Sequence, residues 1–310
     1  MKLWAVHLGL LAVLALGAVV LPDYHQGIVA RAMVLSVFAM GFNLAFGYTG
    51  LLSLGHAMFF AAGMYGMGLT IQHLGTPSWA ALLGGIAAGA VLSGVVGALA
   101  LRASGTAFMI VTLMFAQAVH LSIFLFGDIT RSDEGFVLQG SARRLFALDL
   151  TQADPRYWAA FTLFALVFVA TLILARSPFG RTLVAIRENE ARAGMLGYDT
   201  FALKWRALVI SGTISALAGA AYGLFFGYVG AGFASVQYSI LPLLWVLLGG
   251  AGTVIGPVIG TLFMTYLIDI ASGLTSAYML IAGAVLLALA LFAPQGIAGE
   301  LRRRLWGWLP

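Results

Sequence analysis

Cysteine is absent from this 310-residue chain, and charged residues make up only 9% of it. The missing thiols exclude disulfides, zinc–thiolate sites and cysteine nucleophiles. Soluble domains carry roughly 25% charged residues, so a soluble fold of this composition would lack polar surface. With 62% hydrophobic residues and a mean hydropathy of +1.01, the chain is predicted to be an integral membrane protein.

Lysine residues are also scarce, and so are acidic residues within the apolar runs. The two lysines, Lys2 and Lys204, do not follow a glycine-rich turn, so the chain has no phosphate-binding loop of the P-loop ATPases. The five histidines have no metal-ligand spacing. We therefore predict no catalytic residues, no metal site and no cofactor in this chain. Acidic residues are nearly missing from the apolar runs, with Asp269 as the exception. This scarcity argues against an ion-driven carrier, because such carriers commonly bury carboxylates.

Long apolar runs predict an all-α polytopic membrane protein, because a membrane-spanning helix needs about 20 apolar residues. The chain is interpreted as a single transmembrane domain over residues 1–310. Seven such runs lie near Leu3–Leu21 (an uncleaved first helix), Ile28–Phe46, Leu51–Gln72, Trp79–Leu101, Thr106–Phe126, Trp158–Ala175 and Ala207–Val229. From Ser239 to Phe292 we expect two short spans, a turn at Thr275–Ser276 and a last span from about Tyr278. The total is about eight to ten: ten crossings, or eight if Leu247–Pro257 forms a re-entrant loop.

Two polar regions set the expected topology. Residues 176–206, the charged island, carry six basic and three acidic residues, a net charge of +3. Residues 128–157, the polar segment, carry four basic and five acidic residues, a net charge of −1. Because cytoplasmic loops are enriched in Lys and Arg, we expect the island on the cytoplasmic face and the polar segment outside. The basic residues thus indicate membrane topology rather than nucleic-acid binding, and Arg31 is expected to extend outward from a span end.

Two glycine-broken segments, near 47–56 and 247–257, interrupt the hydrophobic pattern. Irregular backbone at membrane depth has to be shielded by protein or to line a water-filled cavity, and such breaks indicate a translocation path. Candidate residues for the path at the first break are Asn43, Tyr48, Thr49, Gly50, Ser53 and His56, and at the second Gly249, Gly250 and Gly252. The alternative is close packing of helices through small residues, with Asn43 and His56 forming interhelical hydrogen bonds.

Within the island, Pro178 at a helix start and Gly197 near a helix end predict about one short helix. Such a helix between two spans is either a solvated loop or a docking element for a soluble partner.

Four stretches resemble the LivM-type permeases of branched-chain amino acid ABC transporters. They are GYTGLLSLGHAMFFAAGMY (Gly47–Tyr65), the island sequence Arg176–Lys204, SILPLLWVLLGGAGTVIGPVIG (Ser239–Gly260) and APQGI (Ala293–Ile297). The resemblance covers nearly the whole chain in the same order, and the SLGH sequence favours the LivM-like over the LivH-like subunit.

This resemblance implies a permease subunit of a binding-protein-dependent ABC importer in a bacterial cytoplasmic (inner) membrane. Its implied partners are a LivH-like permease, two LivG/LivF-like ATPases that use ATP and Mg, and a periplasmic or extracellular amino-acid-binding protein, with the polar segment as a partial docking surface for the last. The residues implied to couple the chain to the ATPases are Arg187, Glu188, Asn189, Glu190, Arg192 and Gly197. They form a loose variant of the EAA loop, because Glu190 and Ala191 match, Arg192 replaces the second alanine and Gly197 falls one position late. Alternatives are an importer for urea or short amides, and a stand-alone channel or ion-coupled carrier.

Overall fold

The computed structural model describes residues 2–146, 148–275, 277–292 and 295–304. Within them the α-helices are α1 (Lys2–Val20), α2 (Asp23–Asn43), α3 (His56–Leu74), α4 (Ser78–Ala100), α5 (Thr106–Leu125), α6 (Gly127–Thr130), α7 (Ala153–Arg176), α8 (Pro178–Glu188), α9 (Glu190–Met195), α10 (Thr200–Phe226), α11 (Val236–Gly249), α12 (Gly256–Leu274), α13 (Tyr278–Phe292) and α14 (Gly296–Arg304). Short strands are β1 (Phe136–Val137), β2 (Arg144–Leu145), β3 (Leu148–Asp149) and β4 (Tyr228–Val229). A π-helix follows α2 at Leu44–Tyr48, and 3₁₀ turns lie at Gly140–Ala142 and Ala231–Ala234.

The predicted all-α polytopic architecture is confirmed. Six helices among the described residues are long and apolar enough to cross a membrane: α2 with its π-helix, α4, α5, α7, α10 and α12. Shorter apolar helices occupy Val6–Val20 and Val236–Gly249. The total of eight to ten crossings stays a prediction. Ser276 of the expected turn, and Ala293 and Pro294 of the fourth resemblance motif, lie outside the described residues.

Helices α2 and α10 form the centre of the helix bundle. The apolar window of α2 is 89% buried and that of α10 is 67% buried, whereas the window of α5 is 22% buried. A helix that is apolar all round and enclosed by other helices belongs to the interior of the bundle. Helix α5 therefore lies at the periphery of the bundle, and α2 and α10 are more enclosed by other helices.

Small residues let α10 approach α3 very closely. A Cβ atom added to Gly219 of α10 would lie 1.9 Å from the carbonyl oxygen of Phe60 in α3. One added to Gly63 of α3 would lie 2.0 Å from the carbonyl oxygen of Ala216 in α10. Transmembrane helices associate through such backbone contacts because lipid gives no hydrophobic driving force between them. These two glycines fix the distance between the two helices.

Loops of the bundle gather at two ends. At the end that contains the polar segment, called the segment end, β1 pairs antiparallel with β4 through Phe136–Val229 and Val137–Tyr228. This pairing joins the polar segment to the loop that follows α10. At the other end, called the island end, the charged island lies beside both glycine-broken segments, as described below.

Arg143 of the polar segment caps α10. Its Nε atom donates to the carbonyl oxygen of Leu224 at 3.3 Å, and its Nη2 atom donates to the carbonyl oxygens of Phe225 and, at 3.2 Å, Leu150. The last carbonyls of a helix have no partner within the helix and carry partial negative charge, so a cation there is stabilising. Burial lowers the pKa of Arg143, while hydrogen bonds from Thr151 lower the pKa of Asp149 in the same segment.

Replacing Arg143 by Met is expected to destabilise the segment end. Hydrogen bonds to a charged group contribute about 2 kcal/mol, so the thermal unfolding midpoint of the purified chain in detergent should fall by several degrees. Arg144→Met is the matched control, because Arg144 is the exposed neighbour of Arg143 and caps no helix among the described residues. Equal midpoints for the two variants would contradict the capping role.

Candidate functional site

The two glycine-broken segments, which are 200 residues apart in the sequence, lie against each other at the island end. Asn43, at the end of α2, joins them: its Nδ2 atom donates to the carbonyl oxygen of Thr253 at 2.8 Å, and its Oδ1 atom accepts from the backbone N–H of Gly252 at 2.9 Å. The Asn43 side chain is 2% exposed. A Cβ on Gly47 would lie 2.4 Å from the Gly252 nitrogen, so only glycine permits this approach. The two breaks form one unit.

Hydrogen bonds within the first break satisfy its irregular backbone. The Thr49 hydroxyl donates to the carbonyl oxygen of Leu44 at 2.9 Å, and the Ser53 hydroxyl accepts from the N–H of Gly55 at 3.2 Å. Thr49 and Ser53 are buried, Tyr48 is half-buried, and Gly50 is exposed with a φ of +77°. The predicted interruption near 47–56 is therefore confirmed as a break in helical structure. Its direct contact with a substrate stays a prediction.

His56 begins α3 and is fully buried. The Ser211 hydroxyl of α10 donates to the carbonyl oxygen of Gly41 at 2.6 Å, and the Ser211 Oγ atom lies 2.8 Å from His56 Nε2. Because a hydroxyl has one proton to donate, His56 must donate from Nε2, which leaves Nδ1 as an acceptor. Nδ1 is buried and has no hydrogen-bond donor among the described residues. His56 therefore connects α3, α10 and α2, as the interhelical alternative predicted.

The second break separates α11 from α12. Gly250 has a φ of +118° and Gly252 a φ of +74°, which favour glycine. The Thr253 hydroxyl donates to the carbonyl oxygen of Gly250 at 2.8 Å and accepts from the N–H of Gly256 at 3.0 Å. Gly249 packs directly on Gly256, where a Cβ would lie 1.8 Å from the carbonyl oxygen. The predicted break near 247–257 is confirmed.

The charged island contains two short helices, so the expectation of about one was wrong. Helix α8 ends at Glu188, Asn189 adopts an extended backbone with φ −160°, and α9 begins at Glu190. The Asn189 Oδ1 atom accepts from the N–H of Arg192 at 2.8 Å, which makes Asn189 the N-cap of α9. An asparagine side chain that caps a new helix competes with continuation of the old one.

Other predicted limits of the island are close to those observed. Pro178 is the first residue of α8, behind the N-cap Ser177, and Gly197 follows α9 with a φ of +89°. The next span begins at Thr200 rather than near Ala207, because the Asp199 carboxylate caps α10 by accepting from the N–H of Ala202 at 2.9 Å.

Side chains of the island hold it to the breaks and to α10. Arg187 donates from Nη1 to the carbonyl oxygen of Gly47 and forms an ion pair with Glu188, with 2.7 Å between Nη2 and Oε1. Its Nη1 atom would be 2.9 Å from a Cβ on Gly252. Arg187 therefore contacts both breaks. At α9, Glu190 forms an ion pair with Lys204 of α10.

An exposed apolar surface, which was not predicted from the sequence, extends from the end of α9 to the start of α10. Its residues are Met195 (81% exposed), Leu196 (73%), Tyr198 and Phe201, together called the apolar patch. Large exposed apolar surfaces on a polar loop mark interaction sites. In the sequence, the signal for this surface is the uncharged run AGMLGY (Ala193–Tyr198), which Arg192 and Asp199 flank. Arg192 is exposed beside the apolar patch.

Among the described residues, no cluster of three or more His, Asp or Glu side chains has a metal-binding arrangement. The island end instead joins the two short helices α8 and α9, which carry the apolar patch, to the two breaks. Each break lies between apolar helices.

A comparison with known protein families identifies the family of the chain. The sequence profile of the family described as the branched-chain amino acid transport system permease component matches residues 25–291. The chain belongs to this family. The permease therefore is a multi-pass membrane protein of the LivM type, as the four motifs predicted.

Individual relatives agree with the family assignment. The high-affinity branched-chain amino acid transport system permease protein LivM of Salmonella typhimurium (strain LT2) is 26% identical over 302 residues, covering 90% of this permease and 71% of its own length. LivH of the same strain is 23% identical, with coverage of 86% and 91%. The autoinducer 2 import system permease protein LsrC of Photorhabdus laumondii is 33% identical over 166 residues, with coverage of 50% and 48%. No solved structure matches this permease.

Proposed function

We propose that this chain is the permease subunit of an ABC importer that carries branched-chain or other hydrophobic amino acids across the bacterial cytoplasmic membrane. It would act with a LivH-like second permease, two LivG/LivF-like ATPases that bind ATP and Mg, and a binding protein on the outer face. The LivM and LivH relatives, which are named as branched-chain amino acid transport permeases, support the substrate class. The absence of a phosphate-binding loop from the sequence supports ATPases on separate chains.

The observation that carries the proposal is the double contact of Arg187. This side chain, at the end of α8, bonds Gly47 in the first break and lies beside Gly252 in the second. Helix α9 follows with the apolar patch exposed and with Glu190 paired to Lys204 of α10. A soluble ATPase that binds the apolar patch would therefore move α8 and α9 as a unit, together with both breaks and α10.

Co-purification and reconstituted uptake test the proposal. The tagged permease, expressed with its neighbouring genes, should recover an ATP-binding subunit and a second permease in mild detergent. Proteoliposomes that contain the recovered complex should accumulate L-leucine in the lumen. This accumulation should require ATP in the lumen, where the ATPase subunits face, and binding protein in the outer solution. Recovery of the permease alone, with L-leucine flux that does not depend on ATP, would overturn the proposal in favour of a channel or carrier.

A further inference from the structure

A cavity of about 300 Å³ opens between α2, α10, α11 and α12, towards the segment end. Cavities that hold small ligands begin at roughly this size. Four aromatic side chains line it: Tyr222, Phe233, Tyr238 and Trp245. Aliphatic side chains, among them Leu35 and Ile268, complete the apolar wall. The cavity is separate from the breaks, which lie at the opposite end of the same helices.

One cation and one anion line this apolar cavity, and they are not paired with each other. Arg31 of α2 contacts the face of the Phe226 ring, with 5.4 Å from its guanidinium carbon to the ring centroid, and forms no hydrogen bond or ion pair among the described residues. The Tyr24 hydroxyl donates to the carboxylate of Asp269 in α12, with 3.0 and 2.9 Å from its oxygen to Oδ1 and Oδ2. Arg31 was predicted only to extend outward from the membrane, and Asp269 had no predicted role.

Further positive charge lies on the Arg31 side of the cavity. The Arg156 guanidinium lies 5.8 Å from the centroid of the same Phe226 ring. Arg31 and Arg156 both approach that ring, so a carboxylate at Arg31 would lie in a positive field, whereas Asp269 places negative charge on another helix of the cavity. This separation of charge within an apolar site matches a ligand that carries both signs.

A buried donor also lines the cavity. Trp245 is 3% exposed, and its indole N–H has no hydrogen-bond acceptor among the described residues. On α11 it lies seven residues, or about 10 Å, beyond Tyr238 in the direction of the second break. Leaving a buried donor unpaired costs about 1–3 kcal/mol, and a ligand with an acceptor would remove that cost.

We propose that this cavity binds an α-amino acid as its zwitterion, with the ligand's carboxylate at Arg31 and its ammonium at Asp269. The aliphatic side chain of the ligand lies against the aromatic wall. The ligand class rests on the proposed import of amino acids. Urea and short amides have no separated charges and too little apolar surface for this wall, so the cavity favours the amino acid over those alternatives.

The absence of cysteine from the chain allows a direct test by thiol labelling. Ser272 lines the cavity and is exposed, so Ser272→Cys introduces a single reactive thiol at its edge. L-Leucine should slow the reaction of this thiol with a maleimide severalfold in membranes that contain the complex. Gly273→Cys is the matched control, because Gly273 is exposed and a Cβ there meets no atom within 4 Å. Its reaction rate should be unaffected by L-leucine.

Two analogues of leucine test recognition of the charges without altering either charged residue. 4-Methylpentanoate lacks the ammonium and 3-methylbutylamine lacks the carboxylate, and neither should protect Ser272→Cys at concentrations where L-leucine does. Protection by either analogue equal to that by L-leucine would overturn the zwitterion site, as would equal protection of Gly273→Cys.

Variants of the two charged residues complete the test. In the Ser272→Cys background, Arg31→Gln and Asp269→Asn should each abolish protection by L-leucine, whereas Asp23→Asn, at the exposed start of α2, should retain it. Full protection in both charge variants would overturn the assignment. The labelling needs no ATP, so a failed proposal for the cavity is distinguishable from a failed importer: the first removes protection and the second removes ATP-driven uptake.

Discussion

Replacing Met195 and Leu196 together by aspartate is expected to detach the ATP-binding subunits and to abolish ATP-driven uptake. Both side chains are mostly exposed, so the substitution removes no described core contact. Central apolar anchors of an interface are each worth about 2 kcal/mol or more, which is roughly thirtyfold in affinity. Two carboxylates placed in a desolvated contact would add a further penalty. The measurement is the ratio of ATPase subunit to permease after purification in mild detergent.

Phe146→Asp is the control for this double variant. Phe146 is 79% exposed, comparable to Met195, but it lies in the polar segment at the other end of the bundle. The control should retain the full amount of ATPase subunit. If the Met195/Leu196 variant also retains it, the apolar patch is not the docking surface for the ATPase.

Replacing Asn43 by Leu is expected to uncouple the two breaks in a chain that still inserts into the membrane. Leucine has a similar volume but cannot bond Gly252 or Thr253, so one N–H and one C=O would be left without partners at a cost of about 1–3 kcal/mol each. We expect the second break to move away from α2. ATP-driven uptake per folded molecule should then fall by roughly tenfold or more, because 1.4 kcal/mol already changes a conformational ratio by that factor.

Gln26→Leu separates this effect from a simple loss of stability. Gln26 is 5% exposed and its Nε2 atom donates to the carbonyl oxygens of Ala18 at 3.0 Å and Leu21 at 3.1 Å, at the segment end. Like Asn43→Leu, the Gln26→Leu substitution therefore removes a buried side-chain amide, but one that lies far from the breaks. Both variants should unfold at lower temperature, but only Asn43→Leu should lose uptake per folded molecule. Equal losses of uptake would mean that Asn43 acts through stability alone.

Local signals in the sequence predicted the breaks and the start of α8. Glycine-rich interruptions of an apolar run, proline at a helix start and glycine after a short helix act over a few residues, so they can be recognised without knowledge of a contacting partner. The division of the island at Asn189 was missed, although asparagine is a common N-cap. Its neighbours continue a helical pattern on both sides, and only the capping hydrogen bond decides the conformation.

Contacts between distant residues were not predictable in this way. Asn43 and Thr253 are hydrogen-bonded across 210 residues, and no pattern in a single sequence indicates that pairing. Arg31 and Asp269 each looked like an isolated charge near a span end. Their common cavity depends on how α2 and α12 pack, which follows from the summed packing of many small residues rather than from either charge.

Helix α10 has a consequence for how events on the two sides of the membrane are related. Over 27 residues, or about 40 Å, it is held at one end by Glu190 through Lys204 and at the other by Arg143 through its last carbonyls. Two soluble proteins that each shift this helix are thermodynamically linked. By reciprocity, each changes the affinity of the chain for the other by the same factor, although they never touch.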